Sequence, residues 1–279
     1  MSAFTLAGVM GWPIGHSRSP VLHGHWLQRY GIAGAYVPLA VRPERLEQAL
    51  RALPALGFAG CNVTIPHKEA VFRLVDATDA AARRTGSVNL VLVRPDGTLE
   101  GRSTDGYGFV ESLRQAAPTW SPGRGTVALI GAGGAARAIA AALLDAGETR
   151  LRVVNRTDAR AHALARDLGG VVEAWPWSLR GIALAGCHLL VNATSLGMAG
   201  QEPLPLDLSL LPKQAIVADI VYVPLETRLL AAARARGNLV VDGLGMLLHQ
   251  ARPAFAAWYG IDPAVDEGLR RAVLETLPA

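Results

Sequence analysis

The chain has 279 residues, 51% of them hydrophobic and 18% charged, with a net charge of +4 and a pI of about 9.4. That balance excludes a disordered chain. The arginines are scattered and aromatics are only 6%, which argues against a nucleic-acid surface, and no apolar run approaches the ~20 residues of a membrane span.

The N-terminal stretch "MSAFTLAGVMGWPIGHS" is apolar but lacks a basic leader and breaks at Gly11 and Pro13. It reads as a first strand, "TLAGVMG", and a turn, not as a signal peptide. "SPVLHGHWLQRYG" predicts a helix with Ser19 as N-cap and Pro20 at the first helical position. "AYVPLAV" predicts a second strand, "RPERLEQALRALPALG" an amphipathic helix, "FAGCNVTIP" a third strand and "HKEAVFRLV" a further helix. "SVNLVLVRPDGTLEGRSTD" predicts a hairpin turning at Asp96-Gly97. Alternating β and α segments of this kind argue for an α/β fold with a mostly parallel sheet.

"GYGFVESLRQAAP" predicts a helix, and the Pro/Gly linker "TWSPGRG" separates it from a second series. "TVALIGAGGAARAIAAALLDAG" reads as strand, glycine turn and helix. "LRVVNRT", "LLVNATS" and "AIVADIVY" follow as strands, with helices in "DARAHALARDLG" and "LETRLLAAARARG", and "LVVDGLG" closes the series as a strand. "MLLHQARPAFAAWYG" and "PAVDEGLRRAVLETL" are helical. The two cysteines, Cys61 and Cys187, are far apart and show no metal-ligand spacing. No metal site and no disulfide framework is expected, and a reducing cytoplasm fits.

"IGAGGAA" carries the G-x-G-x-x-G/A pattern on Gly131, Gly133 and Ala136, between an apolar strand and an apolar helix. That context favours dinucleotide binding, because glycines admit a pyrophosphate close to free N–H groups at a helix N-terminus. At the end of the next strand, Asn155 stands where an NAD binder usually has an acid, and Arg156 and Arg160 lie close by. Two guanidinium groups suit a 2′-phosphate, so the expected cofactor is NADP. Asp158 could instead hold a free 2′-hydroxyl, which keeps NAD open.

Small polar groups gather at loop positions of the first hundred residues: Ser17, Ser19, Asn62, Thr64, Asn89, Thr104 and Asp105, with Gln250 near the C-terminus. Singly, each has a capping or turn role available. Together they suit a small, multiply hydroxylated acid. Of 27 basic residues, 25 are arginines and two are lysines, Lys68 and Lys213. An arginine stays protonated, whereas a lysine can give up and retake a proton, so Lys68 among these polar groups is a candidate acid/base; Lys213 in "LPKQ" reads as a surface residue.

In order, "GWPIGHSRSP", "GCNVTIPHK", "STDGYGF", "IGAGGAARA", "VNRTDAR", "NATSLGM", "DIVYVPLET" and "GLGMLLHQARPAF" run almost the length of the chain. This set resembles the shikimate dehydrogenase family. The resemblance implies NADPH-dependent, reversible reduction of 3-dehydroshikimate to shikimate, in the chorismate and aromatic amino acid pathway. It implies a substrate domain over 1–105, a Rossmann-type NADP-binding domain over 106–241, and C-terminal helices over 242–279 packing back on the first domain. By motif, Lys68 and Asp105 are the catalytic pair. Ser17, Ser19 and Tyr222 lie at the substrate carboxylate, and Thr64, Asn89, Thr104 and Gln250 line the ring. Gly131, Gly133, Gly134 and Ala135 hold the pyrophosphate. Asn155, Arg156, Thr157 and Arg160 hold the adenosine phosphate, and Thr194, Ser195, Gly245 and Met246 border the nicotinamide. The sequence departs from the family pattern at Ser87 and Leu90, where Gly-Ala-x-Asn-Thr is usual, and at Ser103, where Asn-Thr-Asp is usual. The alternatives are an NAD-using quinate/shikimate dehydrogenase and a non-catalytic dinucleotide sensor. The expected partner is a small-molecule substrate, without nucleic acid or membrane, and the expected state a monomer or homodimer.

Overall fold

Short Val- and Leu-rich runs bounded by Gly and Pro become the strands of two sheets. The computed structural model describes residues 4–277. It divides into two compact units, one of the residues up to Thr104 with Gln250–Leu277, the other of Asp105–His249.

The first unit contains β1 (Thr5–Gly11), α1 (Ser19–Arg29), β2 (Gly34–Ala40), α2 (Leu46–Ala52), β3 (Phe58–Val63), α3 (Lys68–Leu74), β4 (Ala77–Thr78), α4 (Ala80–Thr85), β5 (Leu90–Val93) and β6 (Leu99–Arg102). Its sheet runs β2-β1-β3-β5-β6-β4. Helical crossovers make β2, β1 and β3 parallel. The hairpin at Asp96-Gly97 makes β5 and β6 antiparallel, and Gly97 takes the positive φ of +83° that the turn requires. Met10, Cys61, Val63, Val71, Val88, Val91 and Leu99 close one core against α2 and α3.

The second unit contains α5 (Asp105–Ala116), β7 (Thr126–Ile130), α6 (Gly134–Asp145), β8 (Leu151–Asn155), α7 (Asp158–Leu168), β9 (Val172–Pro176), β10 (Cys187–Asn192), β11 (Ile216–Asp219), α8 (Arg228–Ala235) and β12 (Leu239–Val241). The sheet order is β12-β11-β10-β7-β8-β9, and every pairing is parallel. This is the doubly wound dinucleotide-binding order, which reverses direction between β7 and β10. Every residue of β7 is buried, as a central parallel strand covered on both faces demands. Helix α5 packs on α6 where a Cβ on Gly106 would stand 2.5 Å from the Ala138 carbonyl oxygen.

Helix α9 (Gly243–Tyr259) begins in the second unit and ends in the first, and α10 (Glu267–Leu274) packs on α1. Trp26 Nε1 donates to the Ala264 carbonyl at 3.0 Å, and Arg29 pairs with Asp266.

Several local expectations are corrected. The N-cap of α1 is Arg18, with Ser19 the first helical residue; no side chain caps this helix, and the Ser19 N–H instead reaches Ser17 Oγ at 3.4 Å. The helix expected from Arg42 onward is a 3₁₀ turn, Pro43–Arg45, followed by α2, which stops before Pro54. The strand "LVVDGLG" ends at Val241, and Gly243 already opens α9, pressed against the Ile220 carbonyl where a Cβ would have no room. Elements β4, α4 and β9 lack a long apolar period, and β9 is an edge strand that carries Pro176 at its end. Both cysteines are buried free thiols; burial pushes Cys61 up to about 12 and Cys187 up to about 11.

Candidate functional site

In the first unit, three chain segments meet at Asn89. Its Nδ2 donates to Thr104 Oγ1 at 2.9 Å and to Gln250 Oε1 at 3.1 Å, and its Oδ1 accepts from the Thr104 N–H at 2.8 Å. Thr104 Oγ1 donates to the Gln250 carbonyl at 2.8 Å. Asn89, Thr104 and Gln250 are all buried. Their hydroxyl and amides form one polar cluster, suited to ring hydroxyls.

Thr64 and Lys68 flank the turn after β3. The Thr64 N–H donates to Met10 O at 2.9 Å, and the Lys68 carbonyl accepts from Val88 N at 3.0 Å, which ties α3 to the segment carrying Asn89. His67 between them is buried, its Nε2 bonded to Val41 O at 2.7 Å. Lys68 is half-buried as the first residue of α3. Ser17 is half-buried in the turn before α1, and Ser19 is buried. Asp105 is the first residue of α5 and is counted with the second unit, as is Tyr222, which is half-buried after β11.

The second unit presents a helix N-terminus without a side-chain cap. Gly133 is the N-cap of α6 and Gly134 its first residue. A Cβ on Gly133 would meet nothing within 4 Å, whereas one on Gly131, at φ +114°, would stand 2.8 Å from Ala193 O. Gly131 is thus fixed by close approach of the β10 loop, and Gly133 leaves open space over the first N–H groups. These residues fit a pyrophosphate, with the helix dipole favouring its charge. Ala135 follows in the first turn.

The β10 loop is held by its own network. Asn192 Oδ1 accepts from Thr194 N at 3.1 Å and Thr194 Oγ1 at 2.7 Å, and Asn192 Nδ2 donates to Asp219 Oδ1 at 3.0 Å. Asp219 also accepts from Val221 N at 3.0 Å and Thr227 Oγ1 at 2.8 Å. Burial raises its carboxyl above the usual range, against those bonds. Thr194 is half-buried and Ser195 exposed.

At the end of β8, Asn155 Nδ2 donates to Thr157 O at 2.9 Å, shaping the turn that exposes Arg156 and Thr157, and Arg160 is exposed in the first turn of α7. Asp158 occupies the first turn of α7, where a carboxylate complements the helix dipole. Arg156 borders a cavity of about 640 Å³ that also receives Leu196, Trp177, Glu202 and Arg228. Arg228 is not legible in sequence, because an arginine opening a helix reads as a solvated face. Gly245 lies inside α9, where a Cβ would meet Ser112 Oγ at 2.2 Å, so it serves helix packing; Met246 packs against the core of this unit.

Two family profiles match in chain order: the shikimate dehydrogenase substrate binding domain over residues 9–91, and shikimate/quinate 5-dehydrogenase over residues 117–198. The chain is 62% identical over 269 residues to the shikimate dehydrogenase (NADP(+)) of Paramagnetospirillum magneticum, covering 96% of this chain and 98% of the relative. This chain belongs to the shikimate dehydrogenase family. A second family member, shikimate dehydrogenase (NADP(+)) of Rhodospirillum rubrum, is 58% identical over 96% of both chains. Among solved members, Thermus thermophilus shikimate 5-dehydrogenase in complex with NADP(H) and shikimate superposes with a TM-score of 0.88 at 38% identity, covering 98% of this chain and all of that one. The quinate dehydrogenase of Corynebacterium glutamicum in complex with NAD gives 0.89 at 33%, with the same coverage. Of the departures from the family pattern, Leu90 is wholly buried at the start of β5, opposite Arg102 and Asn62 in register, and Ser87 is buried with its carbonyl accepting from Thr85 Oγ1 at 3.2 Å.

Proposed function

We propose that this protein is an NADP-dependent shikimate dehydrogenase, reversibly reducing 3-dehydroshikimate to shikimate in chorismate and aromatic amino acid biosynthesis. The reading rests on family membership over nearly the whole chain, together with the convergence of Asn89, Thr104 and Gln250 into one buried polar cluster. In this reading residues 1–105 form the substrate domain, 106–241 the NADP domain, and the helices of 242–279 complete the first. The protein acts in the cytoplasm as a monomer or homodimer, without nucleic acid or membrane partners. Among the described residues no helix is long and apolar enough to cross a membrane.

Bound NADP(H) supplies or accepts the hydride at the substrate carbon. The chain's own groups bind, orient and handle the proton. The Ser17 and Ser19 hydroxyls, with Tyr222, take the carboxylate, while Thr64, Asn89, Thr104 and Gln250 fix the ring by its hydroxyls. Lys68 gives its ammonium proton to the carbonyl oxygen during reduction and receives it back during oxidation. Asp105, which follows Thr104 directly in sequence, orients that ammonium and shares the hydroxyl hydrogen bonds. Gly131, Gly133, Gly134 and Ala135 receive the pyrophosphate. Asn155, Arg156, Thr157 and Arg160 receive the 2′-phosphate end. Thr194, Ser195, Gly245 and Met246 border the nicotinamide.

The test is absorbance at the NADPH band with shikimate and quinate, each offered with NADP+ and NAD+. The highest kcat/KM is expected for shikimate with NADP+. A higher value for quinate with NAD+ overturns the assignment in favour of a quinate enzyme; cofactor binding without turnover of either acid overturns it in favour of a sensor.

A further inference from the structure

Behind the polar cluster lies a second row of buried groups that does not belong to the family-derived site. Tyr36 projects from β2 and is buried, and its hydroxyl donates to Asn62 Oδ1 at 2.7 Å. Asn62, on β3, donates through Nδ2 to the Asn89 backbone carbonyl at 3.0 Å. Asn89 in turn makes the bonds to Thr104 and Gln250 described above. The Ser19 side chain adjoins the Tyr36 oxygen from α1. The Tyr36 ring lies flat on the fully buried His23 ring, with centroids 3.9 Å apart and planes 3° from parallel. Tyr36 therefore lies beside Ser19, assigned to the carboxylate end of the substrate, and reaches Asn89, assigned to the ring end, through one amide.

An asparagine amide can be turned over with little change in shape. Here the Asn89 backbone carbonyl, which can only accept, takes Nδ2, and that leaves the Asn62 oxygen to accept from the phenol hydroxyl. The stack on His23 fixes the ring from behind. We propose that Tyr36 and Asn62 are positioning residues for shikimate, holding the Asn89 cluster and Ser19 at a fixed separation so that carboxylate and ring hydroxyls are engaged together. This inference rests on the substrate-site reading of Asn89 and Ser19. It adds residues that do not themselves touch the substrate.

The experiment is a double-mutant cycle in the full-length protein, with Tyr36→Phe, Asn89→Ala and the double variant. For each, kcat, the shikimate KM, the NADP+ KM and the thermal midpoint are measured. Tyr36→Phe keeps the stack and removes the hydroxyl. It is expected to raise the shikimate KM about tenfold, the usual consequence of stranding one buried acceptor, with kcat and the NADP+ KM changed less than about threefold. In the Asn89→Ala background the same substitution should change the shikimate KM by less than about twofold, because Tyr36 acts through Asn89. Asn62→Ser, which shortens the tether and spares the stack, should match Tyr36→Phe and serves the cycle in its place if Tyr36→Phe does not fold. A lowered thermal midpoint with an unchanged shikimate KM in both Tyr36→Phe and Asn62→Ser overturns the inference, as does a factor that multiplies independently with that of Asn89→Ala. If Asn89→Ala itself leaves the shikimate KM unchanged, the substrate-site reading fails first and the inference with it.

Discussion

Asn89 and Thr104 bind each other in both directions: Asn89 Nδ2 donates to Thr104 Oγ1 at 2.9 Å, and the Thr104 N–H donates to Asn89 Oδ1 at 2.8 Å. The Thr104 hydroxyl spends its own proton on the Gln250 carbonyl. Replacing Thr104 by valine keeps the volume and removes both roles of the hydroxyl. Two buried groups then lose a partner, a loss of about 1–3 kcal/mol for each stranded group. Chemical denaturation should show the first unit destabilised by about 2 kcal/mol or more, and the shikimate KM should rise. A variant with wild-type stability and KM would mean that the hydroxyl is dispensable.

Lys68 opens α3 beside this cluster. If it carries the proton, Lys68→Ala lowers kcat by roughly 10²–10⁴, with a smaller change in shikimate KM. Steady-state kinetics in the oxidative direction decide it, and near-normal kcat would remove Lys68 from the chemistry.

Arg156 stands exposed on the turn after β8 and Arg160 is exposed in the first turn of α7, with Asp158 between them. Charge-assisted bonds to a 2′-phosphate predict that Arg156→Ala with Arg160→Ala raises the NADP+ KM about 10–100-fold. The NAD+ KM should stay within about twofold, since NAD+ has no such phosphate. An equal change for both cofactors would place the arginines elsewhere than at that phosphate.

His23 is enclosed with the Asn62 side chain beside it, and neither ring nitrogen reaches a partner at full hydrogen-bonding geometry. Burial pushes its pKa from 6.5 down to about 3. The unfolded chain therefore binds a proton that the folded chain refuses, between those two values. The neutral ring's contribution is complete above pH 6.5 and is lost as pH falls toward 3, at about 1.4 kcal/mol per pH unit. Urea unfolding of wild type and His23→Phe at pH 6.5 and pH 5.0 should show the wild type losing about 2 kcal/mol more across that interval. Parallel losses would mean that the ring protonates freely in the folded state.

The parts of this protein that were legible in its sequence are those whose physics is local. The strand–glycine–helix run at 126–145 declared itself because only glycine takes φ +114° at Gly131 and leaves the α6 N-terminus open at Gly133. The hairpin at Asp96-Gly97 was legible for the same kind of reason, and long apolar periods announced α6, α7 and α8. What stayed hidden lacks a local signature. The start of α9 at Gly243 is set by the Ile220 carbonyl, Gly245 by Ser112, and Gly106 by Ala138, each a close approach between distant segments. Tyr36 looked like any aromatic in an alternating strand; its role rests on Asn62, 26 residues away, and on the ring of His23. The sequence alone determined the types of the long elements, the cofactor turn and the kinds of chemical group available, since these follow from backbone conformation and side-chain chemistry at each position. Only the tertiary structure decided which of those groups meet, because burial and hydrogen bonding between remote strands depend on sheet order and register.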